Sequence, residues 1–298
     1  MVLRNFRSGD EQVFFSLGNN VFRNLERLSI ERLRRLVSSP SFNPQGFFIA
    51  EEKGLPVGCI GVINLPAEGF LEIRYLAVKD AFSKLNIVDE LIEAALKYSS
   101  SQKPKLLKAV TLAIQPYVEA YKRFGFKPVR RILRITWDMA KACEEHFMEK
   151  ASIVEVGEEN IEEAYRVFLE GMQPYLNWLI KEEGGRELVL QGAKERIRRS
   201  AALAAQVDGK IVGVTGMVPG HERGEAAFLG VLVLPQYRMK GIGGTLMKAA
   251  LNKAKQLGYE RLVVHTVAYV DSLAPGATLY LKSGGKIEAE YIHLEKES

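Results

Sequence analysis

Apolar and polar residues alternate along the chain in both strand-like and helix-like patterns. Phe47 to Ala50 and Val57 to Ile63 are short apolar runs around Lys53 to Pro56, and this arrangement predicts a β-hairpin. Leu71 to Val78 is a further strand candidate, and Asn86 to Tyr98 has the apolar spacing of an amphipathic helix. Strands and helices mixed in this order predict an α/β (α+β) fold.

The same pattern occurs twice along the sequence. Ala204 to Gly216 repeats the glycine and valine positions of the first hairpin at a constant offset of 155 residues, since 209 − 54 = 155. At that offset Val78 matches Val233 and Leu91 matches Leu246, without a gap. We therefore predict two copies of one unit, residues 1–140 and 152–298, joined by a linker at 141–151.

One stretch of the second copy combines a strand, a glycine turn and a helix. Phe228 to Leu234 is an apolar run that Pro235 stops, and Gly241, Gly243 and Gly244 then open a helix-forming segment. The first N–H groups of a helix have no intrahelical partner and lie at the positive end of its dipole. Glycines let an anion approach that backbone without meeting a Cβ, so this turn predicts an anion-binding cradle.

Two common phosphate-binding motifs do not fit the turn. A Walker A loop needs Gly-Lys-Ser/Thr, but Thr245 follows Gly244 directly. The dinucleotide fingerprint needs Gly or Ala three residues after Gly243, and Leu246 stands there. Both motifs are excluded.

The segment Arg238 to Gly243 resembles the Arg/Gln-x-x-Gly-x-Gly/Ala loop of the GNAT superfamily of N-acetyltransferases, which holds the pyrophosphate of acetyl-CoA. Leu279 to Gly285 occupies the place of the family's Leu-Tyr-x-x-x-Gly-Phe helix, with Gly285 where the family has phenylalanine. Ala120 to Phe126 occupies that place in the first half, with alanine in place of leucine. The resemblance implies two tandem GNAT-like domains, each a mixed, mostly antiparallel sheet flanked by helices.

The resemblance also implies roles for particular residues, with acetyl-CoA as co-substrate and no metal. Tyr280 takes the place of the tyrosine that gives a proton to the departing CoA thiolate, and a phenol of pKa about 10 is protonated at pH 7. Backbone groups of the strand would hold the pantetheine arm and polarise the carbonyl, and the turn would hold the pyrophosphate, with the Thr245 hydroxyl as an added donor. The implied coenzyme-binding residues are Leu232, Val233, Arg238, Met239, Lys240, Gly241, Ile242, Gly243, Gly244 and Thr245.

The sequence also offers candidates for the general base and for the acceptor site. Glu225 lies near the start of the same strand and is the candidate base, although a carboxylate at Ala227 would suit the family better. His265 stands in an apolar strand, which favours a histidine satisfied within the strand over a base. Tyr175 and Trp178 either line the acceptor pocket or pack in the core.

The first copy lacks the residues of the cradle. At the positions of Arg238, Gly241, Gly243 and Gly244 it has Ser83, Asn86, Val88 and Asp89. Val88 would put a β-branched side chain where a phosphate must meet backbone, and Asp89 adds a negative charge. We expect the first copy to have lost coenzyme binding.

Composition narrows the picture a little further. The net charge is +5, but acidic residues are interleaved throughout, so we expect no nucleic-acid partner. Two isolated cysteines and four scattered histidines show no metal-ligand spacing. Neither a signal peptide nor an apolar run of about 18 residues is apparent, so we expect a cytoplasmic protein without a membrane partner.

The resemblance thus implies an acetyl-CoA-dependent N-acetyltransferase that moves an acetyl group to a primary amine by direct attack. The acceptor would be a small-molecule or peptide amine, and the protein a monomer or homodimer. Two alternatives stay open: a non-catalytic regulator that binds acyl-CoA, and a transferase for another acyl group or acceptor.

Overall fold

A computed structural model describes residues 1–21, 30–65, 70–82, 86–141, 150–173, 186–220 and 222–297. The chain divides into two compact units. The first unit comprises Met1–Ile132 with Ala289–Ser298, and the second comprises Leu133–Glu288.

The first unit is a mixed sheet flanked by helices. Its neighbouring strands are antiparallel apart from β4 and β5, which are parallel. In sheet order the strands are β1 (Val2–Asn5), β2 (Phe47–Glu52), β3 (Leu55–Leu65), β4 (Phe70–Val78), β5 (Leu106–Leu112) and the last part of β12 (Lys286–Glu297). The helices are α1 (Glu11–Val21), α2 (Ile30–Val37), α3 (Ile87–Ser101) and α4 (Gln115–Arg123).

The second unit repeats this plan. Its β10 and β11 are parallel, whereas β7, β8, β9 and β10 pair antiparallel. In sheet order the strands are the second half of β6 (Lys127–Asp138), β11 (Arg261–Ala268), β10 (Glu225–Val233), β9 (Lys210–Pro219), β8 (Leu203–Val207) and β7 (Ser152–Glu155). The helices are α5 (Ile161–Gly171), α6 (Arg186–Arg198), α7 (Ile242–Gln256) and α8 (Pro275–Lys282).

The predicted fold class and the two hairpins are confirmed, β2 with β3 and β8 with β9. The compact units differ from the predicted ranges at two strands. The end of β12 pairs with β5, from Tyr291↔Leu112 to Glu297↔Leu106, and so belongs to the first unit. The repeat shows that two copies are alike but not which strand completes which sheet. The ranges 1–140, 141–151 and 152–298 stay a prediction.

Apolar residues at helical spacing attach the helix after the glycine turn to its sheet. Leu246, Met247, Ala250 and Leu251 on α7 are fully buried. Burying each large side chain contributes roughly 1.5–3 kcal/mol, so this face fixes the helix along β8 to β10. The N-terminus of α7 is thereby held near the end of β10.

Candidate active site

A bulge interrupts β10 before its end. The register with β9 shifts between Phe228 and Val231, and Gly230 has a φ of +87°, a conformation that suits glycine. The Thr215 hydroxyl donates to the Gly230 carbonyl at 2.8 Å and supports this shape. The bulge redirects the backbone of the residues that follow.

Strands β10 and β11 separate near this bulge. Their parallel register runs from Glu225↔Arg261 to Ala227↔Val263 and, within the described residues 222–297, ends there. Farther along β10, the Val231 N–H donates to the Tyr280 hydroxyl at 2.9 Å. A tyrosine from α8 therefore meets the strand where β11 no longer pairs with it.

The ring of Tyr280 is fixed by aromatic packing. It is only 4% exposed and lies edge-on to Trp137 and Phe228, with ring centroids 5.7 and 5.8 Å away. The Trp137 indole N–H is in turn held by Ser283, which follows α8. Only the hydroxyl end of Tyr280 meets the backbone of β10.

Leu232 and Val233 are the two positions on β10 whose backbone was predicted to bind the coenzyme. Of these, Val233 directs its N–H toward β11. The Leu234 N–H donates to the Val212 carbonyl on β9 at 2.9 Å. Successive N–H groups of a strand point to opposite sides, so the Leu232 N–H also points toward β9. The Val231 and Val233 N–H groups point the other way, into the gap that β11 leaves.

The glycine turn lies directly after this strand. Gly241 is the N-cap of α7 with a φ of +86°, and the helix begins at Ile242. The N–H groups of Ile242 and Gly243 therefore have no acceptor within the helix. A Cβ at Gly243 would lie 3.3 Å from Leu279 Cδ2, so this backbone has little room for a side chain. Met239, before the turn, is 98% exposed.

Arg238 holds the turn in place with its side chain. Its Nε donates to the Val233 carbonyl at 3.0 Å, and its Nη2 donates to the Gly171 carbonyl at 3.1 Å. These bonds tie the turn to the end of β10 and to the end of α5. Lys240 Nζ lies 5.2 Å from the Tyr237 ring centroid and adds a positive charge beside the turn. Direct contact of either side chain with a pyrophosphate stays a prediction.

Lys150 is a neighbour of the turn that the sequence did not indicate. A Cβ at Gly241 would lie 2.8 Å from Lys150 Cγ, and the Lys150 N–H donates to the Thr245 hydroxyl at 3.0 Å. Thr245 is buried, and its hydroxyl also lies 3.5 Å from the Gly241 carbonyl. Its predicted bond to a pyrophosphate stays untested. Lys150 lies in the predicted linker, 91 residues before Gly241, and no local pattern connects them.

The geometry argues against Glu225 as the general base. Its carboxylate is 5% exposed and pairs with Arg134 at 3.2 Å. Arg134 also binds Glu288, which pairs with Arg261. Glu225 precedes Val231 by six residues, which is roughly 20 Å at ~3.3 Å per residue of strand. Glu225 belongs to an ion-pair network that joins strands, and its expected role as the general base stays a prediction.

Three further expectations concern the acceptor pocket, a metal and a membrane. Tyr175 and Trp178 lie outside the described residues. No cluster of three or more His, Cys, Asp or Glu side chains able to hold a metal ion occurs in the described ranges. No helix in the part of the chain that the structure describes is long and apolar enough to span a membrane.

Comparisons with known proteins agree with this architecture. Residues 154–274 match the acetyltransferase (GNAT) family, and residues 43–128 match an acetyltransferase (GNAT) domain. No curated protein sequence matches the chain.

Solved structures share the fold over nearly the whole chain. One is a GCN5-related N-acetyltransferase from Sphaerobacter thermophilus, with a TM-score of 0.71 at 16% identity, covering 99% of this chain and 95% of that one. Another is a tandem GNAT protein from the clavulanic acid biosynthesis pathway, with a TM-score of 0.62 at 13% identity, covering 99% and 98%. At these identities the likeness establishes the fold alone.

Proposed function

The chain belongs to the GNAT superfamily as a tandem of two GNAT domains, and from that premise we propose that its C-terminal domain acetylates a primary amine. The family and its structural neighbours support acetyl transfer from acetyl-CoA in general. The amine acceptor, the direct attack and the residue roles are our proposal.

The observation that best supports this proposal is the gap between β10 and β11, with the glycine turn at its end. The Val233 N–H points into this gap and suits an amide or carbonyl oxygen of the pantetheine arm. Immediately after it, the helix N-terminus at Gly241 presents backbone N–H groups to a pyrophosphate. The residues present thus match the two polar parts of acetyl-CoA in the order in which that molecule carries them.

Tyr280 is placed to act as the general acid. Its oxygen accepts the Val231 N–H at 2.9 Å, and a phenol that accepts a bond still carries its own proton as donor. In the proposed reaction the amine nitrogen forms a bond to the thioester carbonyl carbon and the C–S bond breaks. The departing sulfur takes the Tyr280 proton. Backbone N–H groups of β10 stabilise the charge that develops on the carbonyl oxygen.

The second candidate is a regulator that binds acyl-CoA without turnover. The specific observation in its favour is Glu225, because the predicted base is committed to Arg134. A transferase needs another group to take the proton of the amine, whereas a regulator needs none.

Calorimetry and a thiol-release assay with a panel of small amines and peptides test the proposal. We expect one acetyl-CoA per chain and CoA release with at least one amine. Binding without release by any acceptor would favour the regulator. An absence of binding would remove the turn from the site altogether.

A further inference from the structure

His265 stands apart from the other residues of β11. Leu262, Val264 and Ala268 are buried in the core that also contains Tyr280, whereas His265 is exposed. Side chains of a strand alternate between its two faces. A Cβ at Gly276 would lie 3.8 Å from both Thr266 Oγ1 and the Tyr280 ring, so Thr266 faces α8. His265 therefore lies on the face of the sheet opposite Tyr280.

The position along the strand brings His265 to the gap. It follows Val263, the last residue paired with β10, by two residues. The same register continued would place it level with Leu229, beside Gly230 and the bulge. The sequence places His265 within an apolar strand and did not indicate this exposure.

We propose that His265 accepts the proton that the acceptor amine must lose, an inference that rests on the acetyl transfer proposed above. Direct attack needs an acid near the sulfur and a base near the amine, on opposite sides of the thioester carbonyl. Tyr280 and His265 lie on opposite faces of the sheet at this gap, as that arrangement requires. A neutral imidazole has one ring nitrogen with a free lone pair and can accept a proton there.

The protons balance across the reaction. The ammonium gives one proton to a ring nitrogen of His265, and this proton later passes to solvent. The nitrogen lone pair forms the C–N bond, the C–S bond breaks, and the sulfur takes the Tyr280 proton. The surplus proton on the new amide nitrogen returns to the tyrosinate through water.

A network of paired charges begins four residues before His265, on the same face of β11. Arg261 shares its strand and face, and Glu225 is the register partner of Arg261 on β10. These charges are matched within the Arg134, Glu225, Glu288 and Arg261 network. No net charge from this network excludes an ammonium from the face.

The first unit supports the assignment by contrast. Its β4–β5 pair Phe70↔Leu106 corresponds to Glu225↔Arg261 at the same offset of 155. The residue at the position of His265 is then Val110, since 265 − 155 = 110. The copy that lacks the glycine turn also lacks the imidazole.

The test compares His265→Gln with the wild type over pH 5.5 to 9.5, using an amine found in the thiol-release panel. We expect kcat/KM to fall about 100-fold at pH 7, within the range for loss of a general base. The deficit should shrink as the amine deprotonates at high pH, and the acid limb of the wild-type pH profile should disappear. The acetyl-CoA Kd should stay within about twofold.

His293→Gln is the matched control. Burial, with Arg130, Arg74 and Lys108 nearby, lowers the pKa of His293 to about 3, so it does not titrate in this range. If the wild type turns over an amine and His265→Gln keeps the same rate and the same acid limb, the assignment of His265 is overturned while the proposed function stands. No wild-type turnover with any acceptor would overturn the proposed function itself, and this inference with it.

Discussion

Each unit contains the same strand end, and the two treat its outward N–H group differently. In the second unit the Val233 N–H points into the gap between β10 and β11. In the first unit the equivalent N–H, that of Val78, donates to the Tyr117 hydroxyl at 2.9 Å. The matching outer bonds, Lys79 N–H to the Val57 carbonyl and Leu234 N–H to the Val212 carbonyl, confirm that the two strand ends correspond. In the first unit a tyrosine hydroxyl thus accepts the N–H that corresponds to Val233, which we assign to the coenzyme in the second unit.

The helix after each parallel strand explains where that tyrosine comes from. Pro116, Tyr121 and Gly125 match Pro275, Tyr280 and Gly284 at one offset, since 280 − 121 = 159. Both glycines have positive φ, +86° and +84°. At this offset Tyr117 corresponds to Gly276, which places no side chain over the strand end. The strand end of the first unit is therefore covered by the Tyr117 ring, whereas that of the second unit has no covering ring because Gly276 stands at this position.

The helix N-termini differ in the same sense. Asp89 stands where the second unit has Gly244, and both of its oxygens accept bonds from Arg123 Nη2, at 2.6 and 2.9 Å. The first unit thus supplies its own anion and counterion at this helix start. The first unit nevertheless has a corresponding bulge, since Tyr75, at the position of Gly230, also has a positive φ, +61°. The difference teaches that the backbone frame can persist after the ligand-facing positions are filled.

The largest effect should come from giving the second unit the tyrosine of the first. We expect Gly276→Tyr to weaken acetyl-CoA binding at least 100-fold, because the ring would lie over the Val233 N–H. The position tolerates a Cβ, whose nearest neighbours would be 3.8 Å away, so the fold should persist. Calorimetry measures binding, and circular dichroism checks the fold.

Gly276→Ala is its control and should bind within a few-fold of wild type. Undiminished affinity in a folded Gly276→Tyr protein would contradict the equivalence of the two strand ends.

A smaller loss, roughly 10- to 100-fold, is expected from Gly243→Val. This change copies Val88 into the turn and puts a β-branched side chain against the helix start where an anion would bind. The reciprocal change Val88→Gly should leave one acetyl-CoA per chain, because Asp89 and Tyr117 still fill the first unit. A second binding event in calorimetry of Val88→Gly would show that a single residue had closed that site.

Local spacing made much of this predictable. The hairpins, the offset of 155 and the glycine turn depend on residues close together in sequence, where strand and helix periods leave a pattern. Contacts between distant residues leave none. Glu225 pairs with Arg134, 91 residues away, and no spacing in the sequence indicated this ion pair. The pairing of β12 with β5 and the approach of Lys150 to Gly241 depend on tertiary packing in the same way. The role of Tyr117 was not predicted, because α4 and α8 match at an offset of 159 residues whereas the strands match at 155.

The smallest predicted effect concerns two tyrosines one turn apart on α4. Tyr117→Phe should destabilise the protein by about 1–3 kcal/mol, since the Val78 N–H would lose its buried acceptor. The Tyr121 hydroxyl is buried and has no hydrogen-bond partner among the described residues. Tyr121→Phe should therefore be neutral, or stabilise by up to about 1 kcal/mol, because it removes a desolvated group. Urea unfolding of both variants measures the difference, and equal destabilisation by both would mean that the Tyr117 hydroxyl does not cap the strand end.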